Sequence, residues 1–152
     1  MVTELRSIAI RAAAALVLLT SLSGCTVAGH DFTPPGFFDE VNDVVEVLDI
    51  PSLDGLVREG RSGIGGNNPP LYTAAVEGQD ALPELQERLA DAGYVSNGLL
   101  EKSGRETWTP SNPSDEFVEV RLHPLVAGDG VAFGRDKDFT MKRDGLVIWV
   151  LG

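Results

Sequence analysis

Apolar residues recur at helical spacing in two segments of the chain. In residues 37–48 the apolar side chains fall on one face and the acidic side chains on the other, and Pro51 ends the pattern. Residues 81–92 follow Asp80, a candidate N-cap, and precede Gly93, a candidate C′ residue. The sequence therefore predicts two amphipathic helices, each with one face in a core.

Strand patterns occupy four other segments, which are residues 71–76, 107–109, 117–122 and 146–151. The last of these is apolar at every position, which is typical of a central strand buried on both faces. It follows Asp144-Gly145, a dipeptide that suits a two-residue type I′ turn after residues 139–143. We expect an α+β fold, in which two helices pack on a small antiparallel sheet of about four to five strands and the C-terminal hairpin is central.

The segment between the first helix and the first strand pattern is irregular. Leu53, Leu56 and Val57 are spaced for one further helical turn, and residues 60–70 are rich in Gly, Pro and Asn. A Gly-rich loop can cradle phosphate, but a Walker loop needs a Lys and a Ser or Thr in register between a strand and a helix. Neither residue type stands in register here, so residues 60–70 predict a surface loop.

The N-terminus has the pattern of an export signal. Arg6 and Arg11 precede residues 12–22, an uncharged run of eleven residues. A membrane-spanning helix needs about 20 residues, so this run is too short to span and fits the apolar region of a signal peptide. The run ends in Leu22-Ser23-Gly24-Cys25, and Cys25 is the only cysteine of the chain.

These four residues resemble the lipobox of bacterial lipoproteins. The resemblance implies that Cys25 carries a diacylglyceryl lipid and that the chain is cut between Gly24 and Cys25. It thus implies a signal peptide over residues 1–24 and covers only this part of the chain. Residues 25–36, which would carry the lipid, have no periodic pattern and predict a tether, and the helix and strand patterns predict one α+β domain over 37–152. The resemblance also implies a location at the cell membrane, facing outside the cytoplasm. The alternative is a buried helix that ends in this sequence by chance, with Cys25 as a small apolar residue.

The charge balance limits the partners. The 152 residues include 12 basic and 23 acidic side chains, which give a formal net charge of −11. This excess of acids argues against nucleic acid as a partner, because phosphate binding needs clustered Lys and Arg. A basic protein or another envelope component would supply the counter-charge. Loss of residues 1–24, with two bases and one acid, would leave −12.

Few residues suggest chemistry, and no cofactor is predicted. His123 precedes Pro124 at the end of a strand pattern, but a catalytic histidine also needs a nucleophile and an orienting carboxylate nearby. Asp129, Asp136 and Asp138 share a loop-like stretch in which carboxylates could bind Ca²⁺. The EF-hand pattern is missing, and the cationic residues that alternate with these aspartates would oppose a cation.

Two classes of function follow. The first is a lipid-anchored, non-enzymatic binding or interaction module. The alternative is a small cell-envelope hydrolase that uses His123 or paired carboxylates, as glycoside hydrolases do. The lack of a recognisable nucleophile motif favours the binding module.

Overall fold

A computed structural model describes residues 33–63, 68–112, 118–134 and 138–152. Within these ranges the chain forms two α-helices, one 3₁₀ turn and eight strands. The helices are α1 (Asp39–Val47) and α2 (Ala81–Asp91), and the 3₁₀ turn is Ile50–Ser52. The strands are β1 (Leu56–Ser62), β2 (Leu71–Glu77), β3 (Tyr94–Leu100), β4 (Arg105–Pro110), β5 (Glu119–Leu125), β6 (Gly130–Ala132), β7 (Asp138–Thr140) and β8 (Gly145–Leu151).

Six strands form one antiparallel sheet in the order β1-β2-β8-β5-β4-β3, and β6 and β7 form a separate two-stranded ribbon. This architecture confirms the predicted α+β fold. The sheet has six strands instead of four to five, because β1 forms where the sequence predicted a helical turn and a loop, and β3 forms where no strand pattern was found. The predicted hairpin arm does not add to this sheet, because β7 pairs with β6. Residues 56–62 extend because β2 supplies backbone partners along them, despite a bulge between Leu56 and Arg58.

Both predicted helices form and pack on one side of the sheet, which we call the helix face. Gly93 ends α2 with a φ of +83°, the left-handed conformation predicted for a C′ residue. Asp80 precedes α2 but forms no side-chain cap, unlike the prediction. The main core lies between the helices and the sheet and contains Val41, Val45, Leu48, Ile50, Leu85, Leu89, Tyr72, Val120, Leu122, Leu146, Ile148 and Val150, among others.

Strand β8 is central, as the sequence predicted. It pairs with β2 from Gly145 to Leu151 and with β5 over the same residues, so both of its edges are occupied. The preceding strand, β7, pairs with β6 and not with β8, so the two do not form the predicted hairpin. Neither Asp144 nor Gly145 has the positive φ that a type I′ turn requires. The two neighbouring strands therefore set the register of β8.

The opposite side of the sheet, which we call the outer face, is only partly covered. The β6–β7 ribbon lies over a second, smaller apolar cluster formed by Ala75, Val147, Leu125, Val131 and Met141. Phe133, Phe139 and Trp149 border this cluster and are partly buried. No helix within the described ranges is long and apolar enough to cross a membrane.

Candidate functional site

Polar and aromatic side chains occupy the outer face beside the ribbon. Alternation along β5 directs Val120 and Leu122 into the core under the helices. It therefore directs Arg121 and His123 to the outer face. Alternation along β8 likewise places Trp149 on the outer face, directly opposite Arg121. We call Arg105, His123 and Trp149 the Trp149 cluster.

Arg105 and His123 both lie beside the Trp149 ring. The guanidinium carbon of Arg105 lies 4.9 Å from the centre of the Trp149 ring, within the range of a cation–π contact. The His123 ring is nearly parallel to that of Trp149, at 17°, with the ring centres 6.1 Å apart. Strands β4, β5 and β8 each contribute one side chain, so adjacent sheet positions hold the three groups together.

Two polar atoms of the cluster are buried without a partner. Among the described residues, neither Arg105 Nε nor His123 Nδ1 has a hydrogen bond. An unpaired buried polar group costs about 1–3 kcal/mol, so most such groups in folded proteins bind a protein group, a water or a ligand. The third atom of this kind, Trp108 Nε1, belongs to the core on the helix face.

Cationic side chains cluster on the outer face, although the protein is acidic. Strands β1, β4 and β5 place Arg58, Arg105 and Arg121 there. Arg58 lies over the Phe133 ring at 5.0 Å, and Arg121 forms an ion pair with Glu119. Helices α1 and α2 together carry seven acidic residues and one basic residue. The helix layer is therefore strongly acidic, whereas the outer face carries three arginines, one of which is neutralised by Glu119 on the same face.

A concavity lies at the end of the sheet where β2 and β8 meet. It has a volume of about 290 Å³, and its lining includes Gly78, Leu82, Leu125 and Leu146. Asp144 also lines it, but this carboxylate accepts a hydrogen bond from the backbone N–H of Ala127. The cavity is small and mostly apolar, and it offers fewer polar groups to a ligand than the Trp149 cluster does.

The candidate residues from the sequence fall in different places. His123 lies in the Trp149 cluster, and no described carboxylate lies within hydrogen-bond distance of its Nδ1 atom. The Asp129 carboxylate accepts a hydrogen bond from the backbone N–H of Val126, at 2.9 Å, and so stabilises a turn. Asp136 and Cys25 lie outside the described residues, as does the whole lipobox.

The cation site of Asp129, Asp136 and Asp138 therefore stays a prediction. Asp138 begins β7, and Asp129 precedes β6. Within the described ranges, no group of three or more His, Cys, Asp or Glu side chains is arranged to hold a metal ion.

Arg105 and Trp149 are not predicted as site residues from the sequence. Trp149 stands within an apolar run that predicts a core strand, so its part in an outward cluster is hidden in the pattern. The available signal was the alternation in β5, where charged and histidine side chains take successive outward positions. Which aromatic residue lies beside them depends on strand order, which a single sequence does not specify.

Comparison of the chain with protein-family models, with curated proteins and with solved structures finds no match in any of the three.

Proposed function

We propose that this protein is a lipoprotein anchored outside the cytoplasm by a lipid on Cys25, and that it acts as a non-enzymatic binding module. The observation that supports binding is the Trp149 cluster on the uncovered part of the outer face. It combines the partly buried aromatic ring of Trp149, the guanidinium of Arg105, whose Nε has no hydrogen-bond partner, and the imidazole ring of His123. Convergent polar groups beside apolar surface are typical of ligand sites.

The anchor part of the proposal rests on Leu22-Ser23-Gly24-Cys25 after a short apolar run. One acyl chain binds a membrane only marginally, whereas two or more chains on one cysteine give a stable attachment. The strongly acidic domain contributes little attraction to anionic headgroups. The lipid would therefore hold the protein at the surface, and the outer face would be free to meet envelope material.

The test uses cells fed a palmitate analogue that can be tagged. The wild-type chain should be labelled and processed, whereas Cys25→Ala should be unlabelled and stay uncleaved. Thr26→Ala, which lies just outside the motif, should be labelled like the wild type. Normal labelling of Cys25→Ala would refute the anchor.

The binding role is tested in the same cells with a photocrosslinking side chain. At Thr107, on the outer face next to Arg121, it should form adducts with envelope material. At Glu87, an exposed position of α2, it should form few. Equal adducts at both positions would refute a binding role for the outer face, whatever the outcome of lipid labelling.

A further inference from the structure

We infer that the Trp149 cluster binds an acidic sugar, in which Arg105 holds a carboxylate or phosphate group and Trp149 contacts the sugar ring. This inference rests on the proposed function, because it names the ligand class of the same outer face. It is carried by the charge of Arg105, by the unpaired atoms beside it and by the side chains that share its surface.

Arg105 forms no ion pair with a described carboxylate. Three of the other five described arginines pair with carboxylates: Arg88 with Glu84, Arg121 with Glu119 and Arg143 with Glu77. Arg58 and Arg61 form no ion pair among the described residues, but the atoms buried without a hydrogen-bond partner include Arg105 Nε and no atom of these two side chains. Within the same ranges, Arg105 forms no ion pair, although its protein has nearly twice as many acids as bases. The planar guanidinium matches the two oxygens of a carboxylate or phosphate better than any other side chain.

The acid nearest to Arg105 in sequence is already engaged on the other side of the sheet. Glu106 accepts hydrogen bonds from Gln86, at 2.7 Å, and from Ser96, at 2.7 Å. Its carboxylate therefore faces away from the outer face and does not neutralise the guanidinium. An anion that approaches Arg105 from solvent meets a cation without an internal competitor among the described side chains.

Two buried nitrogen atoms of the Trp149 cluster have no hydrogen-bond partner among the described residues. Arg105 Nε is a donor, and His123 Nδ1 is a donor in one of its tautomers. Both atoms are covered in the present arrangement, in which Arg105 lies over the Trp149 ring. Binding would therefore require Arg105 to leave the ring, so that its guanidinium turns to the anion and the face of Trp149 becomes free for the ligand.

The sheet positions beside Trp149 carry side chains that suit a sugar. Thr107, Arg121 and Trp149 lie in one row across β4, β5 and β8. The row combines a hydroxyl group with a guanidinium and an aromatic ring, and a sugar presents hydroxyl groups along an otherwise apolar ring face. A neutral sugar would leave Arg105 unpaired, which is the reason the inferred ligand carries a negative charge.

The experiment follows the two tryptophan indole N–H signals by NMR, with the full-length ¹⁵N-labelled chain in detergent micelles. Trp108→Phe and Trp149→Phe assign the two signals. Glucuronate supplies a carboxylate on a sugar ring, glucose 6-phosphate supplies a phosphate, and glucose is the neutral control. We expect at least one of the anionic sugars to shift the Trp149 signal saturably, while the Trp108 signal and the glucose titration stay unchanged.

Arg105→Gln should raise the Kd of the anionic sugar by about tenfold or more, as expected for the loss of a charged hydrogen-bond donor. The matched control is Arg61→Gln, because Arg61 also lies over an aromatic ring, that of Tyr72 at 5.4 Å, but on the helix face. This control should bind like the wild type. Should Arg105→Gln fail to fold, Arg105→Lys still tests the site, because it retains the charge and loses the planar fork.

The inference is overturned if neither anionic sugar shifts the Trp149 signal, or if Arg105→Gln and Arg105→Lys both bind as tightly as the wild type. An equal shift with glucose would also overturn it, because the charge of Arg105 would then play no part. None of these outcomes bears on the lipid labelling at Cys25 or on the crosslinks at Thr107. The proposed function can therefore be refuted independently of this inference.

Discussion

At the scale of single residues, Glu77 is the clearest case of a buried charge with a structural role. Its side chain is 6% exposed at the end of β2. One carboxylate oxygen accepts a hydrogen bond from the backbone N–H of Lys142, at 2.6 Å, and the other accepts one from Arg143 Nε, at 3.3 Å. The Lys142 hydrogen bond is the main cause of a lowered Glu77 pKa, and Arg143 adds to it against the opposing effect of burial.

This pKa gives the sign of a pH effect on stability. The folded pKa lies below the unfolded value of about 4.3, so the stabilisation by Glu77 is complete above that pH and is lost as the pH falls through the folded pKa. We expect Glu77→Gln to lower the urea midpoint at pH 7, and its difference from the wild type to shrink at more acidic pH. Glu87→Gln, at an exposed position, should change little at either pH. A constant difference across the series would contradict this role.

Gly145 shows what a residue pattern cannot reveal. The sequence predicts its role as freedom of φ in a tight turn, but its φ is not positive. A Cβ built at Gly145 would lie 2.1 Å from the carbonyl oxygen of Val76 and 2.8 Å from Met141 Cε. Glycine is therefore required because β2 passes close to the start of β8. That requirement depends on which strand is the neighbour, and sequence alone does not give it.

At the scale of elements, β8 determines the stability of the sheet. Ile148 is fully buried at its centre, opposite Ala74 of β2 and Leu122 of β5. We expect Ile148→Ala to cost about 2–5 kcal/mol, because a large buried side chain is lost and the two flanking strands limit relaxation. Val126→Ala, at a position that is 60% exposed, is the control and should melt like the wild type. A wild-type melt for Ile148→Ala would show that β8 is not the centre of the core.

The predictability of each element follows from the kind of signal it carries. Helices α1 and α2 and strand β8 have local patterns, a helical stripe or an unbroken apolar run, and all three form. Strand β1 has no such pattern, since Arg58, Glu59 and Arg61 interrupt it, and it depends on pairing with β2. Asn97-Gly98 predicts a turn, but it lies within β3 where the pairing with β4 is irregular. Long-range pairing overrides the local turn signal there.

The candidate site follows the same rule. His123 stands out in the sequence, and its placement on a strand is predicted from the alternation of β5. Its neighbours are not predicted, because Arg105 comes from β4 and Trp149 from β8, and β8 is inserted beside β5 only in the folded sheet. A search for catalytic motifs along the chain therefore passes over a cluster that forms across three strands.

At the scale of the whole molecule, the acidic residues are unevenly distributed. Helices α1 and α2 carry seven acids on one side of the sheet, whereas Arg58, Arg105 and Arg121 lie on the other side together with Glu119, which pairs with Arg121. The basic partner predicted from the net charge would be attracted to the helix layer, and this partner stays a prediction. The acidic sugar inferred above would bind the outer face. A strongly acidic protein can thus hold an anion, because local charge rather than net charge determines the field at a site.

The predicted tether ends at Gly36, and the predicted domain begins at Phe37. The described part of the chain belongs to one compact unit, and its cores use side chains from α1 through β8. We expect a truncated chain starting at Gly36 to fold alone, with mixed α and β circular dichroism and a cooperative melt. The predicted domain of residues 37–152 would then contain all that folding needs.

A second truncation makes this test specific. A chain starting at Gly55 lacks α1 and the 3₁₀ turn, and with them Val41, Leu48 and Ile50, which are completely buried. Full burial of a large apolar side chain contributes about 1.5–3 kcal/mol, and a domain of this size has about 5–15 kcal/mol in total. The shorter chain should therefore lose its cooperative melt while the chain from Gly36 retains it. If both melt alike, α1 is not part of the core; if neither folds, residues before Gly36 are needed and the predicted boundary is wrong.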